Sequence, residues 1–213
     1  MQRFNADSGT FGLSEAAGNH KADSHLHKTV QLVGTVFAIL WVKDKTWWEV
    51  KLLDQEIQIV RECILPHYAA QQKEDIIQEL SKRMKERNLV NADFQEAVLK
   101  REQKYPTGLL IGKRNIAIPH TEPQYVKVPC IGIATLKKSV AFHRMDACDE
   151  LVDVDVVLLL ALNQAHAHME MLSRIILMCQ DEAFIEELLR AEQETDIEQI
   201  VRERLEGGKQ HES

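Results

Sequence analysis

Three residues in this chain combine a reactive type with a useful position: His120, Arg101 and His168. His120 follows Ile116-Ala117-Ile118-Pro119. The three apolar residues read as a short buried strand, and Pro119 stops it by removing a backbone donor and fixing φ. The histidine is thus delivered on a rigid support at the strand exit, where its ring can meet a partner. Arg101 lies late on an amphipathic helix, just before a Thr107-Gly108 turn, and His168 lies in the first turn of a helix that follows the most apolar strand. A neutral imidazole, with an ordinary pKa of about 6.5, is a competent nucleophile near neutral pH. Arginine supplies a planar cationic fork that matches phosphoryl oxygens. Helix N-terminal amides favour an anion. Phosphoryl transfer asks the protein mainly for positioning and charge stabilisation. Histidine, arginine and helix amides therefore suffice for it, without a metal, if the donor is already a phosphohistidine. Plainer readings stand beside these. Arg101 suits a solvated helix face, paired with Glu96 or Glu102. His168 suits a helix cap, and His166 competes for its role. His67 and His143 read as surface residues.

The totals narrow the classes. At 213 residues the chain holds one full domain or one domain plus an extension. A net charge of −7 argues against nucleic-acid binding and lends nothing to a membrane-surface role. Cys63, Cys130, Cys148 and Cys179 are scattered without CxxC spacing, which reads as free thiols rather than zinc. No Gly-x-Ser-x-Gly elbow is present, and no cysteine has an activating context, so a serine or cysteine hydrolase is poorly supported. The apolar run Val30 to Val42 is shorter than the roughly 20 residues of a spanning helix. It is also badly placed for a secretory signal. A cytoplasmic protein is the expectation.

The elements that must position the three residues follow from periodicity. Residues 1 to about 28 read as loosely attached, with His20, His25 and His27 lacking partners for a metal site. Val30 to Val42 reads as a strand or hairpin. Ile57 to Ile64 reads as a strand ending before Pro66. Lys73 to Arg87 carries Ile76, Ile77, Leu80 and Met84 at helical spacing. A second helix, capped by Asn91, runs to about Lys104 and buries Phe94, Ala97 and Val98. Tyr105 to Gly112 reads as a turn. Thr121 to Val128 reads as a polar loop, Cys130 to Leu136 as a strand, Lys137-Lys138 as a turn and Ser139 to His143 as a short edge strand. Val152 to Leu162 is apolar enough to be covered on both faces. Helices follow at Ala165 to Cys179, which buries Met169, Leu172, Ile176 and Met178, then from Asp181 through Leu189, and finally from a Thr195 cap. The tail from Gly207 is expected to fray. Helices alternating with strands around one doubly buried strand predict an α/β fold: a three-layer sandwich with a mixed sheet flanked by helices on both faces.

The segment Leu99-Lys100-Arg101-Glu102-Gln103-Lys104-Tyr105-Pro106-Thr107-Gly108, followed by Ile116-Ala117-Ile118-Pro119-His120, resembles the type-2 enzyme IIA domains of the bacterial phosphoenolpyruvate:sugar phosphotransferase system. These are the fructose, mannitol and galactitol class, and the aromatic-Pro-Thr-Gly version is most similar to galactitol-type members. The resemblance implies a domain over residues 51–206, an N-terminal extension over 1–50 and a tail over 207–213. It implies a protein-histidine phosphotransferase, with His120 phosphorylated by the carrier HPr and the phosphoryl group passed to a cysteine of enzyme IIB. Arg101 would bind the phosphoryl group, and His168, in Ala167-His168-Met169-Glu170-Met171-Leu172, would be the assisting histidine of mannitol- and fructose-type members. No cofactor is implied, and membrane association would be indirect, through enzyme IIC. The family also resembles regulatory IIA modules, whose phosphohistidine controls binding to kinases, channels or transcription regulators. Thr121 stands where the family usually has a very small residue, and the loop from Gly108 to Asn115 is longer than in mannitol-type members.

Overall fold

The structure is a computed structural model that describes residues 57–163 and 165–207, without the side chains of 165–170 and of 206 and 207. The expectations for residues 1–50, for Val30 to Val42, for the tail beyond Gly207 and for burial of Met169 lie outside the described residues. The described residues all belong to the compact unit Lys45–Ser213.

In chain order the elements are β1 (Gln58–Tyr68), α1 (Lys73–Glu86), α2 (Phe94–Lys104), β2 (Gly108–Leu109), β3 (Ile116–Ala117), β4 (Cys130–His143), β5 (Leu151–Ala161), α3 (Ala165–Cys179), α4 (Glu182–Arg190) and α5 (Glu194–Gly207). The sheet order is β1-β4-β5-β3-β2. β1 runs parallel to β4 and β3 parallel to β5, while the β4–β5 and β2–β3 pairs are antiparallel. This is the mixed sheet expected.

Strand β5 lies at its centre. Val157, Leu159 and Ala161 pack on one face against Ile76, Ile77, Leu80 and Met84 of α1 and Phe94 and Val98 of α2. Val156, Leu158 and Leu160 pack on the other, with Ile175 of α3, Phe184 and Leu188 of α4, and Ile197 and Val201 of α5. A strand covered on both sides has no polar face to show, which is why its sequence is an unbroken apolar run. The helices are held at their ends as well. Asp75 accepts from the Gln71 and Gln72 amides at the start of α1, and Asp181 caps α4 by accepting from Ala183 N at 2.9 Å.

Several boundaries differ from expectation. β1 continues through Pro66 to Tyr68. It is the outer strand of the described sheet, so a missing donor there is tolerated, and the register slips between Leu65 and Tyr68. His67 is exposed, as expected, and adopts a left-handed φ of 45°. Its amide donates to the buried Thr135 hydroxyl at 2.9 Å. β4 is one strand and not two, because Lys137 and Lys138 form an irregularity between Thr135 and Val140 while pairing with β5 resumes beyond it. Its second half is therefore no edge strand. Asn91 does not cap α2. That place falls to Asp93, and the Asn91 amide instead donates to the Gln124 carbonyl at 2.9 Å, tying the helix start to the loop after His120. Thr195 lies inside α5, which begins at Glu194. Tyr105 to Gly112 is not only a turn, since Gly108 and Leu109 pair with Ala117 and Ile116 as β2.

Gly108 is required there by space. A Cβ at this position would lie 2.6 Å from the His143 carbonyl oxygen and 2.8 Å from Val152 Cγ1. Backbone cannot yield as a flexible side chain does. Gly108→Ala should lower unfolding free energy by roughly 1–3 kcal/mol in chemical denaturation, and an unchanged midpoint would refute the close approach.

The four cysteines are free thiols. Burial pushes the Cys63 thiol up to about 11 and those of Cys130 and Cys179 up to about 12, whereas Cys148 is exposed. An aromatic disulfide reagent at neutral pH should therefore modify one thiol per folded chain, and the other three only on unfolding.

Candidate active site

The strand–proline–histidine arrangement is built as the sequence suggests, with one addition. β3 pairs in parallel with β5 through Ile116↔Val156 and Ala117↔Val157. Beyond the strand the chain keeps to the same track: the Pro119 carbonyl accepts from Leu160 N at 2.9 Å, and His120 forms a parallel bridge with Leu160. Pro119 ends β3 without releasing the backbone from the sheet. His120 is consequently fixed at the C-terminal end of the central pair of strands, and only 4% of its surface is exposed. That is more cover than a bare strand exit provides.

The ring is oriented from its own backbone. Nδ1 lies 2.8 Å from the Ile118 carbonyl oxygen. A carbonyl can only accept, so Nδ1 carries the proton, and in the neutral imidazole Nε2 holds the lone pair. The nucleophilic nitrogen is therefore Nε2.

Arg101 is half-buried on the last turn of α2. Its guanidinium carbon lies 5.9 Å from the centroid of the Tyr105 ring, and Lys104 Nζ lies 5.0 Å from the same centroid. Among the described residues no carboxylate comes within ion-pair distance of Arg101. Glu96 and Glu102 are therefore not its partners in the sense the helix spacing suggested. Burial lowers its pKa from the ordinary value, and the strongest opposing influence is the negative charge of Glu122, ahead of Glu102. An arginine remains charged under such shifts.

Glu122, which the sequence does not single out, exerts its charge on Arg101 and feels those of Arg101 and His120. Its Oε2 accepts from the Thr121 hydroxyl at 2.7 Å. That hydrogen bond, the local backbone, Arg101 and His120 all hold its carboxyl below the ordinary range. One carboxylate thus stands within electrostatic reach of both the candidate nucleophile and the candidate phosphoryl-binding cation. Thr121 itself is buried. The sequence carried no signal for Glu122, because an acid in a polar loop is unremarkable by type.

Glu102, a surface partner of Arg101 by helix spacing, is instead buried, with 2% exposed. Its Oε1 accepts from Thr107 N at 3.1 Å and its Oε2 pairs with the Thr107 hydroxyl at 2.6 Å. This clamps the end of α2, and with it Arg101, to the start of β2 beside β3. Burial raises the Glu102 carboxyl above the ordinary range, opposed by the two Thr107 hydrogen bonds. The sign follows: a carboxyl whose folded pKa is raised favours folding most below the unfolded value, and this advantage is lost as pH rises through the folded pKa. Glu102→Gln can keep both bonds, accepting from the amide and donating to the hydroxyl, and should flatten that part of the stability profile. Glu102→Ala leaves the buried Thr107 amide unpaired and should cost roughly 1–3 kcal/mol. Denaturation midpoints across mildly acidic to neutral pH would distinguish the two variants.

His168 lies in the first turns of α3, which begins at Ala165 just beyond the C-terminal end of β5. Its side chain and that of His166 lie outside the described residues, so His168 has a place in the fold and no described contacts. His143, at the end of β4, is half-buried rather than on the surface. Among the described residues no group of three or more His, Cys, Asp or Glu is arranged to hold a metal ion, and no described helix is long and apolar enough to cross a membrane.

Comparison with known proteins places these features in a family. The model of the phosphoenolpyruvate-dependent sugar phosphotransferase system, EIIA 2, matches residues 58–204. The galactitol-specific EIIA component of Escherichia coli K12 is 24% identical over 117 residues, which are 55% of this chain and 77% of that protein. Among solved structures, the complex of the mannitol enzyme IIA with phosphorylated mannitol enzyme IIB from Escherichia coli aligns with a TM-score of 0.57 and 20% identity. That alignment covers 68% of this chain and 98% of that one. The nitrogen regulatory protein IIA-Ntr from Neisseria meningitidis aligns with a TM-score of 0.56 and 23% identity, over 67% of this chain and 95% of that one. At these identities the solved structures establish the shared fold.

Proposed function

Because the chain belongs to the EIIA type-2 family of the phosphoenolpyruvate-dependent sugar phosphotransferase system, we propose that it is a phosphocarrier whose His120 Nε2 accepts a phosphoryl group from phospho-HPr and hands it to a cysteine of an enzyme IIB. Arg101 neutralises the phosphoryl oxygens, and His168 assists from the start of α3. The observation that carries this reading is the 2.8 Å bond from Nδ1 to the Ile118 carbonyl, which turns the basic nitrogen away from the backbone on a fixed support. The electrostatic neighbourhood of Arg101 supports it further, since Arg101 and His120 both act on the Glu122 carboxylate.

In the reaction, Nε2 attacks phosphorus while the donor's P–N bond breaks, and the electron pair returns to the donor ring. A loose transition state spreads charge over the three equatorial oxygens, where a guanidinium is most useful. The proton stays on Nδ1, which donates to the Ile118 carbonyl throughout, so the phosphorylated ring needs no rotation. Onward transfer reverses the geometry: a thiolate attacks phosphorus and Nε2 recovers its lone pair. The partners are proteins and the location is the cytoplasm. The likeness to the galactitol-specific relative favours a galactitol-type or related polyol system.

Incubation with phosphoenolpyruvate, enzyme I and HPr should place acid-labile, base-stable phosphate on His120, located by mass spectrometry. Unlabelled protein under those conditions would overturn the reading. Partner capture with the full chain separates transport from signalling. Recovery of a IIB protein supports the carrier role; recovery of a kinase, channel or transcription regulator supports a regulatory one, in which the phosphohistidine charge alters an interface.

A further inference from the structure

A continuous line of hydrogen bonds joins α2 to the His120 ring. Thr107 donates to Glu102 twice, from its amide at 3.1 Å and from its hydroxyl at 2.6 Å. The Thr107 carbonyl accepts from Ile118 N at 3.3 Å, one step beyond the Gly108↔Ala117 pair of β2 and β3. The Ile118 carbonyl in turn accepts from His120 Nδ1 at 2.8 Å. At Thr107 and at Ile118 the line enters and leaves through different peptide groups, so it passes on position and not a proton. Just beyond Ile118 the chain is fixed again, where the Pro119 carbonyl accepts from Leu160 N at 2.9 Å. The side chains at both ends are buried, as are Thr107, 1% exposed, and Ile118, so solvent does not readily replace a lost member. A buried carboxyl group is a costly way to close a helix end, since it must leave water. Two bonds to one residue fix direction as well as distance, which a single cap does not.

We infer that Glu102 and Thr107 are positioning residues for His120: they fix Ile118 beside β2, and through its carbonyl they set the orientation and tautomer of the imidazole. What the ring then does rests on the phosphocarrier reading above, whereas its tautomer can be measured without it. Glu102 follows Arg101 on the last turn of α2, so the same clamp holds that turn in a constant relation to the strand that leads to His120. With the line intact, Nδ1 keeps its proton and Nε2 presents its lone pair. When Thr107 loses its hold, the Ile118 carbonyl shifts and the Nδ1–H donor loses its alignment. The proton is then free to settle on Nε2, which in that form cannot attack phosphorus. Glu102 and Thr107 form no bond to phosphorus and exchange no proton with the ring, so the transfer step balances as written above.

The full-length chain and three variants test this. Thr107→Val keeps the shape and the backbone bonds but deletes the hydroxyl that holds Glu102 Oε2. Thr107→Ser and Glu102→Gln are the conservative rescues, since each can keep every bond of the line. Nitrogen NMR of the His120 ring reads the tautomer. Rapid-quench transfer from phospho-HPr reads the rate, at a temperature where unfolding curves show each variant folded. Wild type, Thr107→Ser and Glu102→Gln should show the Nδ1–H form and comparable rates. Thr107→Val should show a mixture of both tautomers and transfer roughly 10- to 100-fold more slowly, the scale of a displacement of about 1 Å at a reacting group. A clamp serving stability alone would lower the unfolding midpoint of Thr107→Val and leave the ring as in wild type. An unchanged ring spectrum in folded Thr107→Val therefore overturns the inference, and so does an unchanged rate beside an active wild type. Slow transfer by Glu102→Gln with an unchanged ring also overturns it, because charge and not geometry would then matter; this arm stands even if Thr107→Val does not fold. If Thr107→Val mixes the tautomers while no form of the protein accepts phosphate from HPr, the phosphocarrier reading falls and the positioning role stands. If wild type accepts phosphate and neither ring nor rate responds to Thr107→Val, the positioning role falls and the carrier reading stands.

Discussion

His120→Ala should reduce phosphoryl acceptance to background in the phosphoenolpyruvate-driven assay, while the folded chain persists. The first half follows from the tautomer. With Nδ1–H committed to the Ile118 carbonyl, Nε2 is the nucleophilic nitrogen of that ring, and alanine supplies no substitute. The second half follows from the backbone. The Pro119 carbonyl still accepts from Leu160 N, and Ile116 and Ile118 remain buried, so the track beside β5 does not depend on the imidazole. The stability loss should be modest, about 1–3 kcal/mol for an emptied buried site and one unanswered carbonyl. Circular dichroism and a denaturation curve check the fold, and acid-labile label checks the chemistry. Label remaining at wild-type level would remove His120 from the reaction.

Arg101→Ala should slow transfer through His120 by roughly 30- to 1000-fold, equivalent to about 2–4 kcal/mol of lost charge stabilisation in the transition state. The residue is only half-buried and closes no ion pair among the described residues, so its removal should leave the unfolding midpoint nearly unchanged. Arg101→Lys should recover part of the rate and not all of it, since an ammonium restores the charge without the planar fork. Rapid-quench measurement of phosphoryl transfer from phospho-HPr reads both. A rate within two-fold of wild type in the alanine variant would place phosphoryl binding elsewhere.

Much of this architecture was written in the apolar pattern. Val156 to Leu162 announced a strand covered on both sides because burial erases alternation, and the helix at Lys73 showed its inward stripe directly. What escaped the sequence was structure held by pairing rather than composition. β2 is two residues long and exists because Gly108 and Leu109 meet β3. β4 passes through two lysines because β5 re-engages it on the far side, while charge alone suggested a turn. β1 passes Pro66 because an outer strand tolerates a missing donor. For the proposed site, the Ile-Ala-Ile-Pro context points to His120 and the place before Thr107-Gly108 points to Arg101. Glu102 was hidden among polar and charged neighbours, Lys100, Arg101, Gln103 and Lys104, where a buried acid resembles a solvated one. Glu122 was hidden because its electrostatic influence on Arg101 depends on the fold and leaves no mark on residue type.

The described sheet closes both of its margins in different ways. On one side β2 offers only two residues to a newcomer. On the other, the slipped register of β1 at Pro66 and the left-handed turn of the backbone at His67 break the row of donors and acceptors that an extended peptide would need. Sheets that present a long, flat border invite runaway polymerisation. Here a stray strand meets a stub or a kink, so crowding many copies together need not seed fibrils from the rim of the fold.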